Sequence, residues 1–80
     1  MTKVTLYTRQ GCHLCDRAKQ IIGAAQRHAT FQFEEFDIDS DPNLLQLYNE
    51  EVPVIALDGV VTFRYVLTED ELLQELASRS

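Results

Sequence analysis

No apolar stretch in the chain approaches membrane-spanning length. The longest run, residues 52–57, covers six residues and is interrupted by Pro53, whereas a helical span needs about 20. Basic residues are also scarce. Seven Lys and Arg against thirteen Asp and Glu give a net charge of −6, and an acidic surface repels phosphate backbones and anionic lipid. The expectation is therefore no nucleic-acid partner and no membrane. Three glycines and two prolines are too few for a collagen or a low-complexity tail, and the chain shows no internal repeat or linker. Phosphate loops, nucleotide fingerprints and Ser-His-Asp arrangements are missing as well. After Met1 and Thr2 the chain passes directly into strand-like Lys3–Tyr7 rather than an apolar signal region, which points to the reducing cytoplasm, where structural disulfides are rare.

What remains is ordinary globular composition: 80 residues, 45% hydrophobic and 25% charged. That length makes a single domain over residues 1–80, expected as a monomer, which on folding buries roughly 60–65% of the surface of the unfolded chain. Apolar periodicity divides it into seven elements. Lys3–Tyr7 reads as a strand, and Leu14–Ala29 as a helix with a stripe through Leu14, Ala18, Ile21, Ile22, Ala25 and Ala29. Phe31–Ile38 reads as a strand whose parity switches between Phe33 and Phe36, which calls for a bulge near Glu34–Glu35 or a later start. Asp41-Pro42 opens a second helix, with proline at the first helical position and Leu44, Leu47 and Tyr48 expected inward.

Val54–Leu57 is continuously apolar, as in a strand covered on both faces. Asp58-Gly59 is a tight hairpin turn into Val60–Tyr65, where Val61, Phe63 and Tyr65 alternate with Val60, Thr62 and Arg64. Thr68 and Glu71 form a capping box ahead of a helix with Leu72, Leu73, Leu76 and Ala77 inward. The order βαβαββα makes the first two strands parallel and the last two antiparallel. The fold class is α/β, a four-stranded mixed sheet flanked by three helices.

The two cysteines lie three residues apart, Cys12 and Cys15, where the first strand gives way to the first helix. Cys15 precedes Ala18 and Ile22 by three and seven residues and so shares their inward face. Cys12 falls at the helix start, beside unpaired N–H groups and the positive end of the dipole, where a C-x-x-C thiolate is favoured. An activated, accessible thiol with a second thiol in reach suits attack followed by resolution. Gly11 leaves room for a partner backbone to approach. Two other readings stay open: cysteines serving only as small core residues, and a thiolate metal site with His13 or His28, for which a second C-x-x-C or an H-x₃₋₅-H is lacking. Asp37, Asp39 and Asp41 alternate as a small cation site would, but acids at a strand-to-helix loop also complement the next helix start.

Tyr7-Thr-Arg-Gln-Gly-Cys-His-Leu-Cys15, with Val52-Pro53 before an apolar strand and Asp58-Gly59 after it, resembles the glutaredoxins and the wider thioredoxin-like superfamily over nearly the whole chain. The resemblance implies a thioredoxin fold, Cys12 as nucleophile, Cys15 as resolving thiol and a cis Val52–Pro53 bond beside them. A proline there leaves the Val52 backbone free to pair with an extended substrate. Arg9 matches a position where glutaredoxins place a basic residue that meets glutathione's carboxylate, and its charge also favours a nearby thiolate. Two departures stand out. His13-Leu14 replaces the Pro-Tyr usual between the cysteines, and a protonated His13 would stabilise the thiolate and make the protein more oxidising. The stretch Phe63–Glu71 contains no glycine, where glutaredoxins carry Gly-Gly and an acid that grip glutathione. Close backbone approach is thereby lost.

The function expected is reduction of substrate disulfides, in proteins or small molecules, by dithiol exchange through Cys12 and Cys15. Arg9, Gly11, His13, Val52 and Pro53 would contact substrate, with no bound cofactor and no metal. Glutathione and a thioredoxin-reductase-type enzyme are both open as the reductant, and the missing glycines count against glutathione. The rival functions are a non-catalytic binding module working through the Val52 edge and a thiolate metal-binding protein.

Overall fold

The computed structural model describes residues 1–49 and 51–79. In chain order the elements are β1 (Lys3–Thr8), α1 (His13–Ala25), β2 (Gln32–Asp37), a 3-10 turn (Ile38–Ser40), α2 (Pro42–Tyr48), β3 (Val54–Leu57), β4 (Val60–Arg64) and α3 (Glu69–Arg79). The four strands form one sheet in the order β2-β1-β3-β4. β1 runs parallel to β2 and antiparallel to β3, which is antiparallel to β4. The mixed sheet follows from chemistry already visible in the chain. A helical crossover joins β1 to β2, whereas the hairpin Asp58-Gly59 has both residues at positive φ, 51° and 84°, the geometry that a two-residue turn between twisted strands requires.

Each face of the sheet has its own apolar cluster. One joins Val4 and Leu6 of β1 and Ile55 and Leu57 of β3 to Ala18, Ile22 and Ala25 of α1 and Leu72 and Leu76 of α3. The other gathers Cys15, Ile38 and Val52, with Tyr7, Leu44, Leu45 and Tyr48 packed against them. All four residues of β3 are buried, as its unbroken apolar run predicts. Among the described residues no helix is long and apolar enough to cross a membrane.

Several local expectations are corrected. α1 ends at Ala25 rather than Ala29, because the chain tightens there: Arg27 N–H reaches the Ala24 carbonyl, and the amides of His28 and Ala29 both reach that of Ala25. β2 has no bulge at Glu34–Glu35, and its register with β1 is continuous from Gln32 to Asp37. Its two aromatic phases serve the two faces, Phe33 against the larger cluster and Phe36 stacked on Tyr7 at 5.9 Å between centroids. The irregularity lies in β4 instead, where Phe63 pairs with Ile55 and Val61 with Ala56, so Thr62 is the extra residue and the expected alternation breaks. On α2 it is Leu45 that packs inward and Leu47 that is 67% exposed. A seven-residue helix satisfies helical spacing with 44, 45 and 48 as well as with 44, 47 and 48, and the positions of Tyr7 and Ile38 decide between them. Ala77 on α3 is exposed rather than inward.

The capping box is present in full. Thr68 N–H donates to Glu71 Oε1 at 2.9 Å, and Glu71 N–H to Thr68 Oγ1 at 3.1 Å. Thr68→Ala removes one of these and should cost about 1 kcal/mol, lowering the Tm by roughly 4–8 °C. A thermal melt superimposable on that of the parent would show that the cap adds nothing.

Candidate active site

β1 ends at Thr8, and the chain turns through Arg9, Gln10 and Gly11 before entering α1. Gly11 sits at φ 77° with no atom within 4 Å of where a Cβ would stand. The left-handed turn favours glycine, and the space above it is open. The turn delivers Cys12 as the N-cap of α1 with extended backbone, φ −97° and ψ 110°. N-caps are usually oxygen side chains that accept a free amide of the first turn. Here sulfur does so: Cys15 N–H donates to Cys12 Sγ at 3.1 Å. A thiolate at Cys12 would accept the same hydrogen bond with charge assistance.

One turn on, Cys15 is 2% exposed. It is inward as the helical stripe predicts, although its neighbours are Ile38 and Val52 rather than the cluster of Ala18 and Ile22. Burial and the hydrogen bond to Cys12 push its thiol up to about 12, against the pull of the Arg9 backbone N–H. The two sulfurs are thus unequal, Cys12 partly accessible and Cys15 buried and protonated at neutral pH. The raised value has a consequence for stability. The unfolded thiol titrates near about 8.5, so the stabilisation from keeping it neutral and buried is complete below that pH. It is then lost as pH climbs towards 12, at no more than about 1.4 kcal/mol per unit. Denaturant unfolding between about pH 8 and 10 should show Cys15→Ala losing less stability with pH than the parent; parallel slopes would refute the assignment. Tyr7, also pushed up by its burial and by Tyr48, adds its own slope only above about pH 10.

The Val52–Pro53 bond is cis, as the resemblance implies, and Val52 packs in the cluster of Cys15 with Cys12 against it. β3 begins only at Val54. Among the described residues neither the N–H nor the C=O of Val52 has a hydrogen-bond partner, while the next carbonyl, that of Pro53, accepts from Tyr65 N–H at 2.9 Å. The Val52 backbone is therefore an unpaired edge lying beside the cysteines.

The remaining candidates are placed less simply. Arg9 Nε is held by Asp39 Oδ2 at 3.1 Å, a partner that the Asp37–Asp39–Asp41 alternation does not announce. The other two acids of that series are caps, Asp37 accepting from Asp39 N–H and Asp41 from Asn43 N–H. Among the described residues no group of three or more His, Cys, Asp or Glu side chains is arranged to hold a metal. His13, first residue of α1, is exposed, and His28 lies beyond the helix with Nε2 3.6 Å from Glu69 at the start of α3. Arg9, Gly11 and Cys15 line a cleft of about 480 Å³ with Lys19 and Glu35, which are themselves paired at 2.7 Å.

The family model "Glutaredoxin-like domain (DUF836)" matches residues 3–77. The glutaredoxin-like protein YDR286C homolog of Dictyostelium discoideum is 34% identical over 79 residues, spanning 91% of this chain and 73% of the relative. The X-ray structure of protein XcR50 from X. campestris superposes with a TM-score of 0.75 at 32% identity, covering 94% of this chain and 96% of the other. A mutant thioredoxin from Halobacterium salinarum, 20% identical, shares the fold with a TM-score of 0.75 over 96% of this chain and 73% of its own. The chain belongs to the glutaredoxin-like domain family and has the thioredoxin fold.

Proposed function

We propose that the protein is a thiol-disulfide oxidoreductase that reduces substrate disulfides through Cys12 and Cys15. The observation that carries this reading is the inequality of the two sulfurs: Cys12 caps α1 with an amide directed at its Sγ, and Cys15 is a buried thiol pushed up to about 12. Cys12, as thiolate, attacks one sulfur of the substrate. The substrate S–S bond breaks, the far half leaves as a thiolate and takes up a proton, and a mixed disulfide remains on Cys12. Cys15 then gives up its proton and attacks Cys12 Sγ, releasing the second half as a thiol and closing Cys12–Cys15. The substrate gains two electrons and two protons, and the protein loses them.

An external thiol reductant, glutathione or a thioredoxin-reductase-type enzyme, reverses the last bond, with no bound cofactor. The unpaired backbone of Val52 pairs with an extended substrate, Pro53 holds it beside the cysteines, Gly11 keeps the approach open, and His13 and Arg9 flank it. The protein works as a cytoplasmic monomer. The two rival readings have less support: the described residues offer no metal cluster, and a purely binding role leaves the paired thiols unexplained.

The test is a redox titration against glutathione ratios, with free thiols blocked and counted by mass. The expected result is a single two-electron step with a midpoint between about −270 and −120 mV. Two thiols that stay reduced under oxidising ratios would leave the Val52 edge as a binding site without redox turnover.

A further inference from the structure

The end of the sheet farthest from the cysteines holds a second groove. Cys12 follows the C-terminal end of β1, whereas this groove opens beside its N-terminal end, where the α1–β2 loop, the hairpin after β3 and α3 converge. Its volume of about 610 Å³ exceeds the 480 Å³ of the cleft at Cys15 and is of the size that takes small molecules. One wall is apolar. Ala29, Leu73 and Leu76 form it, and all three belong to or pack on the larger apolar cluster, so the wall is backed by close-packed core.

The other wall carries charge. Among the described residues, Asp58 and Arg79 are the Asp, Glu, Lys or Arg side chains that line the groove, one of each sign. They are loosely matched to each other. Arg79 Nη1 stands 3.9 Å from Asp58 Oδ2, and His28 on the same rim stands 3.6 Å from Glu69. The other ion pairs among the described residues close to 2.7–3.2 Å, and a charge-assisted hydrogen bond spans about 2.7–2.9 Å. Asp58 is nevertheless fixed in place. Its Oδ1 accepts Lys3 N–H at 2.9 Å, which leaves Oδ2 as the oxygen available to a second donor.

We propose that this groove binds a small zwitterion with an apolar side chain, an α-amino acid in chemical class. Its carboxylate pairs with Arg79, its ammonium with Asp58 Oδ2, and its side chain lies on Ala29, Leu73 and Leu76. An amino acid carries both charges on one carbon, so it can enter the loose pair and satisfy both members at once. A simple anion would meet Asp58 as a like charge, and a simple cation would meet Arg79 likewise. A ligand of zero net charge also escapes the repulsion that a chain of net charge −6 exerts on anions. The six residues of β1 separate the groove from the cysteine loop, so binding there requires no thiol exchange.

The experiment is an amide NMR titration of the reduced protein with three probes. These are L-phenylalanine, its amide, which lacks the carboxylate, and its N-acetyl derivative, which lacks the ammonium. L-Phenylalanine should give saturable shifts at Ala29, Asp58 and Leu76 and leave Cys12 and Cys15 unmoved. Its Kd should be about 1 mM, the scale expected of a ligand of this size. Each derivative should bind roughly tenfold more weakly, the effect of losing one charged hydrogen bond.

Two variants assign the charges separately. Arg79→Gln should bind L-phenylalanine no better than its amide, and Asp58→Asn should bind it no better than the N-acetyl derivative. Asparagine suits the hairpin, because it tolerates a φ of 51° and keeps an oxygen for Lys3 N–H. No saturable shift with L-phenylalanine, or tighter binding of either derivative, would overturn the zwitterion site. Equal affinity of the parent for all three probes, or variants that keep the parent's preferences, would do the same.

Discussion

Serine at Cys12 should abolish disulfide exchange to background, whereas serine at Cys15 should leave the first attack intact and stop the cycle at a mixed disulfide. The difference follows from the positions of the two sulfurs. Cys12 is the accessible one, at the helix start with the Cys15 amide pointed at it, and a hydroxyl there has no thiolate form to attack with. Cys15 is 2% exposed and its thiol is pushed up to about 12, so at neutral pH it cannot compete for external disulfide. It acts only once a disulfide on Cys12 has been brought against it. Mass analysis after mixing with a small disulfide should therefore show the Cys12→Ser protein unmodified, the Cys15→Ser protein carrying one substrate half, and the parent two hydrogens lighter with no adduct. A Cys15→Ser protein that still turns over at the parental rate would remove Cys15 from the cycle and leave a one-thiol route. Thermal melts of both variants control for folding, since serine at Cys15 puts a hydroxyl against Ile38 and Val52.

That asymmetry is legible in the amino-acid sequence alone, because it depends on local helix geometry: three residues separate an N-cap from the buried stripe. The hairpin, the capping box and the proline opening α2 are legible for the same reason, each being a short-range pattern with one geometric solution. Packing between distant segments decides the rest. Leu45 and Leu47 are equivalent on a two-turn helix until Tyr7 and Ile38 are placed beneath it. The alternation of Phe33 and Phe36 suggests a strand defect only if burial is one-sided, whereas both faces of β2 carry aromatic contacts. The extra residue Thr62 in β4 has no signature of its own, there being no glycine at the bulge to mark it.

The candidate site divides along the same line. Cys12, Gly11 and the Val52–Pro53 edge are visible as motifs. The engagement of Arg9 by Asp39, across thirty residues, is not, nor is the left-handed Tyr65, whose conformation sequence rules reserve for glycine. The lack of glycine between Phe63 and Glu71 implies the loss of a close backbone approach. The chain nevertheless makes a left-handed turn there and carries an exposed aromatic side chain on it.

Leu6→Ala should be the most damaging single truncation of the fold. β1 is the one strand paired with the parallel partner on one side and the antiparallel partner on the other, and Leu6 is 0% exposed on it. The side chain lies opposite Ile55 of β3 and belongs to the cluster that seats α1 and α3 on the sheet. Backbone pairing on both sides of the strand prevents it from moving inward to fill the space, so the loss includes the residual cavity as well as the transfer of the missing methyl groups, about 2–5 kcal/mol. A domain of this size has about 5 kcal/mol to lose, and the Tm should fall by roughly 10 °C or more. Leu47→Ala is the matched comparison. The chemistry of the substitution is identical, but the side chain is 67% exposed, so stability should change by less than about 0.5 kcal/mol. Urea unfolding of the two variants separates burial from residue type, and comparable losses at Leu6 and Leu47 would contradict the placement of α2 as well as that of β1.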